Sequence, residues 1–153
     1  MASEAHIKVI PVATPAQMKQ AHAIRRAVFI EEQHVPEEIE LDAADADAFH
    51  ALALSDGVAV GCGRMVLYQD VPDPPGAQVK IGRMAVAREH RKSGIGREIL
   101  LFLMNEARAR GLRSAVLDAQ LTAEGFYLKN GFTAVGEVFE EAGILHRKMT
   151  RAL

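Results

Sequence analysis

The sequence has 153 residues, 49% of them hydrophobic and 25% charged, with a formal net charge of −2. That length suits one domain with a real core, and the near-balanced charge argues against a nucleic-acid binder, which needs a strong basic excess. Cys62 is the only cysteine, which excludes an intramolecular disulfide and a cysteine-based zinc cluster.

Met1 to His6 shows neither a cationic start nor an apolar signal core, and no apolar run reaches membrane length, so a cytoplasmic protein is expected. Ile7 to Val12 reads as a short strand, and Thr14-Pro15 as a helix start with proline in the first turn. Ala16 to Ile30 carries Met18, Ala21, Ile24, Val28 and Phe29 at helical spacing. Gln33 to Asp47 reads as loop, or as a short helix after Pro36. From Glu31 to Asp47 there are eight carboxylates and no lysine or arginine, while Arg83 to Arg97 is rich in cations. A solvated acidic face of that kind would suit a cationic ligand. Phe49 to Leu54 and Val58 to Tyr68 form a strand pair across Ser55-Asp56-Gly57, with Cys62 between Gly61 and Gly63 as a packing residue. Val71 to Gly76 is a loop.

The stretch from Val79 to Arg110 is the most informative. Val79, Ile81 and Ala85 alternate with Met84 and Val86 on the other face, which predicts a strand. Ile95, Ile99, Phe102 and Leu103 recur at helical spacing, widened by Leu100, Leu101 and Met104, so the helix is buried on more than one side. Arg108, Arg110 and Gly111 close it. Between strand and helix lies Arg91-Lys92-Ser93-Gly94-Ile95-Gly96. A helix start leaves backbone amides without partners, and with the dipole they form an anion site. Gly94 and Gly96 let an anion approach the backbone, and Arg88, Arg91, Lys92 and Arg97 add positive charge. A diphosphate suits this design. One alternative is a basic loop whose glycines merely turn the chain. The other is a dinucleotide-binding βαβ unit with Asp118 as the ribose-binding acid, against which stand Ile99 in place of a third glycine and a long loop.

Arg113 to Leu117 reads as a short buried strand. Asp118 to Lys129 reads as a helix with Leu121, Phe126 and Leu128 for the core, stopped at Asn130-Gly131. Phe132 to Val135 and Ile144 to Met149 are closing strands, joined by a turn over Phe139–Gly143. This order predicts an α+β fold with a mixed sheet.

Arg91-Lys92-Ser93-Gly94-Ile95-Gly96 resembles the Arg/Gln-x-x-Gly-x-Gly/Ala signature of the GNAT superfamily of acyl-CoA-dependent N-acetyltransferases. Ile81-Gly82-Arg83-Met84-Ala85-Val86 is similar to the strand whose backbone pairs with pantetheine in that family. Phe126-Tyr127-Leu128-Lys129-Asn130-Gly131-Phe132 resembles its FY-x-x-x-GF segment. Val28 to Gln33, Glu40-Leu41-Asp42 and Gly143 to His146 extend the likeness to an ElaA-like branch, over nearly the whole chain. The resemblance implies one acyltransferase domain over residues 1–153, with a mostly antiparallel mixed sheet flanked by helices. It implies a splay between the fourth and fifth strands, with acetyl-CoA in the cleft as co-substrate and no metal. The implied cofactor contacts are Met84, Ala85, Val86, Arg91, Lys92, Ser93, Gly94, Ile95, Gly96, Arg97, Gln120 and Tyr127. Gln120, at the opening of the last helix, stands where many members place an asparagine.

Moving an acetyl group from a thioester to an amine needs a deprotonated amine, whose free pKa is near ~10.4 if lysine-like. It also needs a polarised carbonyl, reactants held in line and a protonated leaving thiolate, but no covalent enzyme intermediate. The resemblance implies a backbone N–H of Met84 or Val86 for the carbonyl and Tyr127 for the thiolate. The alternative for Tyr127 is an amphipathic core residue. Glu32, Asp47, His50 and His146 are candidate bases beside a water chain, and Glu32, Gln33, Asp47 and His50 are candidate acceptor contacts. The expected activity is acetyl transfer to a primary amine of a small cationic acceptor by direct attack, and the alternative is a non-catalytic acyl-CoA-binding or sensing domain. The expected partners are acyl-CoA and the amine, with no nucleic acid or membrane; an exposed strand edge or helix could pair two copies as a homodimer.

Overall fold

The computed structural model describes residues 6–68 and 78–153, so the expectations for Met1–Ala5 and for the Val71–Gly76 loop lie outside the described residues. The strands are β1 (Ile7–Pro11), β2 (Phe49–Ser55), β3 (Val58–Leu67), β4 (Val79–Val86), β5 (Ser114–Gln120), β6 (Thr133–Glu141) and β7 (Ile144–Ala152). They form one seven-stranded sheet in the order β1-β2-β3-β4-β5-β7-β6. Every neighbouring pair is antiparallel except β4 with β5. That parallel pairing lasts only from Val79↔Ala115 to Lys80↔Val116, after which the strands part, as the resemblance implied. β4 is bulged where it parts: Cys62 faces Ala85 and Arg64 faces Gly82, which leaves Arg83 and Met84 opposite Gly63 alone. Arg83 takes the left-handed conformation at φ 53°. Such a bulge bends the strand and re-aims its backbone groups.

Helix α1 (Pro15–Arg25) starts at a capping box, in which the Thr14 hydroxyl accepts from the Gln17 amide while Gln17 Oε1 accepts from the Thr14 amide. Its expected continuation to Ile30 is instead a π-helical segment, Arg26–Glu32, in which the Gln33 amide reaches back to the Val28 carbonyl. The wider turn changes which side chains face the sheet, and such turns cluster at functional sites. A single helical turn, α2 (Glu37–Glu40), and a 3₁₀ turn over Ala43–Ala46 follow.

Helix α3 (Ile95–Ala109) buries Ile95, Ile99, Leu100, Leu103, Met104 and Ala107 against one sheet face. Gly61 and Gly63 make that contact close. A Cβ would stand 2.9 Å from Ile99 Cδ1 at the first and 2.9 Å from Ile99 Cγ2 at the second. Helix α1 covers the opposite face with Ala21, Ile24 and, beyond it, Val28 over Leu52, Cys62 and Ala85. Burial pushes the Cys62 thiol up to about 12, which suits a packing role.

Further expectations need correcting. β5 runs through Gln120, because Asp118, Ala119 and Gln120 pair with Lys148, Arg147 and His146 of β7. The sheet ladder overrides local helical propensity there, so the last helix shrinks to α4 (Glu124–Lys129). Leu128 is 52% exposed, and Tyr127 and Phe132 fill the core in its place. The β6–β7 turn is only Ala142-Gly143, both at positive φ, as a tight hairpin requires.

Candidate active site

Where β4 and β5 part, two cavities meet. The larger, about 710 Å³, is lined by Lys92, Gly94, Gly96, Arg97, Phe126 and Asn130 among others. The smaller, about 430 Å³, is lined by Phe29, Gln33, Arg83, Asp118, Gln120 and His146 among others. Met84, Ala85, Val86, Arg91, Ala123 and Tyr127 line both. A thioester and an amine entering from opposite sides would meet at these shared residues.

The loop before α3 is built for an anion. Gly94, the N-cap, has φ 86° and no side chain caps the helix. The first satisfied amide of this turn is that of Glu98, which donates to the Gly94 carbonyl at 3.1 Å. Among the described residues, the amides of Lys92 through Arg97 have no hydrogen-bond partner. That run of donors, added to the helix dipole, fits the pyrophosphate of coenzyme A. Ser93 lines neither cavity; its hydroxyl donates to the His90 carbonyl.

On β4, the Ala87 amide is spent on the Val60 carbonyl at 2.8 Å. Strand alternation then turns the Val86 amide and carbonyl to the splayed side. The Val86 carbonyl accepts there from Arg91 Nε at 2.9 Å. Tyr127 is buried at the junction, edge-on to Phe126 and Phe132, and its hydroxyl makes no hydrogen bond to the described residues. Burial pushes its pKa up to about 12, so it stays protonated at neutral pH.

In the smaller cavity, His146 stacks on Phe139, and its Nδ1 lies 2.7 Å from the Ile144 carbonyl. Nδ1 therefore donates to that carbonyl, which can only accept. Gln120 Nε2 donates to Gln33 Oε1 at 2.8 Å, and the expected cofactor contact at Gln120 lines the smaller cavity, not the larger.

Glu32, Asp47 and His50 line neither cavity. Both Glu32 oxygens accept from Arg91, at 2.7 Å each, and those hydrogen bonds hold its carboxyl down at about 2. Both of its oxygens are thus already engaged by a cation. Asp47 is exposed. His50 is buried, with Nε2 2.9 Å from the Asp45 carbonyl, and burial lowers its pKa.

Part of the acidic segment is drawn into ion pairs, while Glu31, Glu37, Glu38 and Asp47 stay exposed, as expected of a solvated face. Arg25 binds both Glu40 oxygens at 2.6 and 2.7 Å, and reaches Asp45 at 2.8 Å. Arg64 binds Asp42 at 2.7 and 2.9 Å and Asp45 at 2.8 Å. Arg83 reaches Asp42 and the carbonyls of Ile39 and Glu40. Asp118, the ribose-acid alternative, is held by Lys80 at 3.0 Å and Lys148 at 3.2 Å. Sequence reasoning passed over Arg25, Arg64 and Arg83 as partners of the acids; Arg25 on the buried stripe of α1 was the available signal.

Among the described residues no helix is long and apolar enough to cross a membrane, and no group of three metal-ligating side chains occurs. A family profile described as "Acetyltransferase (GNAT) domain" matches residues 9–153. The chain is 35% identical over 145 residues to YyaT of Bacillus subtilis, covering 93% of each. It is 32% identical over 146 residues to the N-acetyltransferase YjcF of the same organism, covering 95% of this chain and 99% of that one. The crystal structure of Escherichia coli ElaA superposes with a TM-score of 0.81 at 25% identity, over 95% of this chain and 99% of ElaA. An acyl-CoA N-acyltransferase from Pseudomonas aeruginosa superposes with a TM-score of 0.79 at 28% identity, over 97% and 100%. With its anion loop, splayed strands and paired cavities, the chain belongs to the GNAT acetyltransferase family, whose members transfer acyl groups from acyl-coenzyme A.

Proposed function

We propose that the protein transfers an acetyl group from acetyl-CoA to a primary amine of a small acceptor by direct attack while both are bound. The observation that carries this reading is the run of unpartnered amides at Lys92–Arg97, opening on the larger of two cavities that meet at Val86 and Tyr127. In this reading residues 92–97 hold the pyrophosphate, β4 aligns the pantetheine arm, and acetyl-CoA supplies the activated acyl group. The Val86 amide polarises the carbonyl, worth about 3 kcal/mol for one such donor in a site that excludes water. Tyr127 donates its proton to the departing sulfur. His146 Nε2 takes the proton of the incoming amine, directly or through water. Glu32 acts at one remove by holding Arg91.

Calorimetry with coenzyme A and a thiol-release assay with an amine panel test it. Saturable binding, with free coenzyme A released only when acetyl-CoA and amine are both present, is expected. Binding without turnover across the panel would favour a non-catalytic acyl-CoA sensor, and absence of binding would end the reading.

A further inference from the structure

We propose that the acceptor carries a carboxylate as well as its amine, and that Arg83, assisted by Lys80, receives it. The proposal rests on the acyl-transfer reading and reverses the cationic acceptor that the acidic segment suggests.

The carboxylates around the smaller cavity are already matched. Glu40 is buried against Arg25. Asp118 lies between two lysines. Glu32, behind Arg91, faces both Arg91 and Arg88. At the last two places the cations outnumber the carboxylate. Of these cations Lys80 and Arg91 line the cavity together with Arg83, and a polyamine would meet their charge there. The remaining described carboxylate of the lining, Glu141, is exposed beside the hairpin turn, where water screens it.

Arg83 lines the cavity from the β4 bulge. Its Nε donates to the Glu40 carbonyl at 3.2 Å. Its Nη2 reaches the Ile39 and Glu40 carbonyls and Asp42 Oδ2, each at 3.1 Å. These bonds fix the guanidinium, whose Nε also lies 3.5 Å from Glu40 Oε2, but both of its carboxylates are shared: Arg64 grips Asp42 more closely and Arg25 does the same to Glu40. Nη1 has no partner among the described residues, and the side chain is 24% exposed. Burial and the neighbouring Arg64 charge lower the Arg83 pKa. Arg25 and Arg64 go the other way, because their carboxylate hydrogen bonds together outweigh burial. Arg83 is thus the least matched cation of its cluster. A pre-fixed guanidinium with spare N–H donors beside a substrate cavity is a receptor for a carboxylate.

The test compares kcat/KM, with acetyl-CoA saturating, for α-amino acids and for ω-amino carboxylates from 3-aminopropanoate to 6-aminohexanoate. Each is set against the amine lacking the carboxylate and against the matching diamine. The best carboxylate-bearing acceptor is expected to exceed its plain amine by about tenfold or more, mostly through KM. The ratio should fall with added salt, collapse toward one in Arg83→Gln, and be partly kept in Arg83→Lys. Lys80→Gln is the second variant, needed if Arg83→Gln does not fold. Faster turnover of diamines or plain amines overturns the inference. So does a ratio unchanged in both glutamine variants, or no turnover of any carboxylate-bearing acceptor by protein that binds coenzyme A. Absence of coenzyme A binding overturns the acyl-transfer reading itself, and this inference with it.

Discussion

Both carboxylate oxygens of Glu32 accept from Arg91, at 2.7 Å each, and so tie the end of the π-helical segment to the head of the anion loop across 59 residues of chain. Arg91 also donates to Val86, so one guanidinium joins the acceptor side, β4 and the loop. Glu32→Gln is expected to weaken coenzyme A binding several-fold with little loss of kcat at saturation. A general base would instead lose about a hundredfold or more in kcat.

The same pair sets an acid dependence. The Glu32 pKa is depressed to about 2 from an ordinary 4.5, chiefly by the Arg91 hydrogen bonds. Its contribution is present in full above the ordinary value and is lost as pH falls from there toward 2. Coenzyme A affinity followed by calorimetry should weaken over that acid range in the native protein, and the weakening should be much smaller in Glu32→Gln.

Tyr127→Phe is expected to lower kcat by about a hundredfold, as for loss of a general acid, with far less change in coenzyme A affinity. The native hydroxyl, raised to about 12 by burial, stays protonated through neutrality. Its deprotonation cannot produce a descending limb in the rate profile near pH 8. Because the fold favours the neutral form, the stability linked to Tyr127 is intact below pH 10 and is lost as pH rises from 10 to 12. Rate profiles and alkaline denaturation check the two statements separately.

Arg25 and Glu40 are each almost fully buried, so removing Glu40 leaves Arg25 with Asp45 alone, and removing Arg25 leaves Glu40 with only the more distant Arg83 at 3.5 Å. Glu40→Gln or Arg25→Met should cost about 3–5 kcal/mol in urea unfolding. The double replacement Arg25→Met/Glu40→Leu should recover much of that loss, because the surviving charge goes too.

Two glycines should separate binding from stability. Gly94 has open space around it but sits at φ 86°, so Gly94→Ala meets a backbone penalty of about 1–2 kcal/mol exactly where the amides converge. Reduced coenzyme A affinity is expected. At Gly61 an added Cβ would lie 2.9 Å from Ile99 and 3.1 Å from the Ala85 carbonyl. Gly61→Ala should therefore lower the melting temperature by forcing α3 off the sheet, an overpacking cost of about 1–3 kcal/mol.

What the sequence determined by itself lies within short spans. The alternation of Val79–Val86, the broad apolar stripe of Ile95–Ala109 and the glycines between them specify strand, anion loop and helix, because strand and helix periods and the αL turn are local properties. The tertiary structure alone decided what the charges and strand ends do. Gln120 extends β5 because β7 supplies a ladder, and residues 26–32 widen into a π-helix in a way no 3.6-residue pattern records. Glu32, Glu40, Asp42 and Asp45 found arginines contributed by α1, β3, β4 and the anion loop. Ion pairing depends on distance in space, which spacing along the chain does not encode, and so a stretch that reads as an acidic binding face is folded into a neutralised support that leaves Arg83 at the cavity.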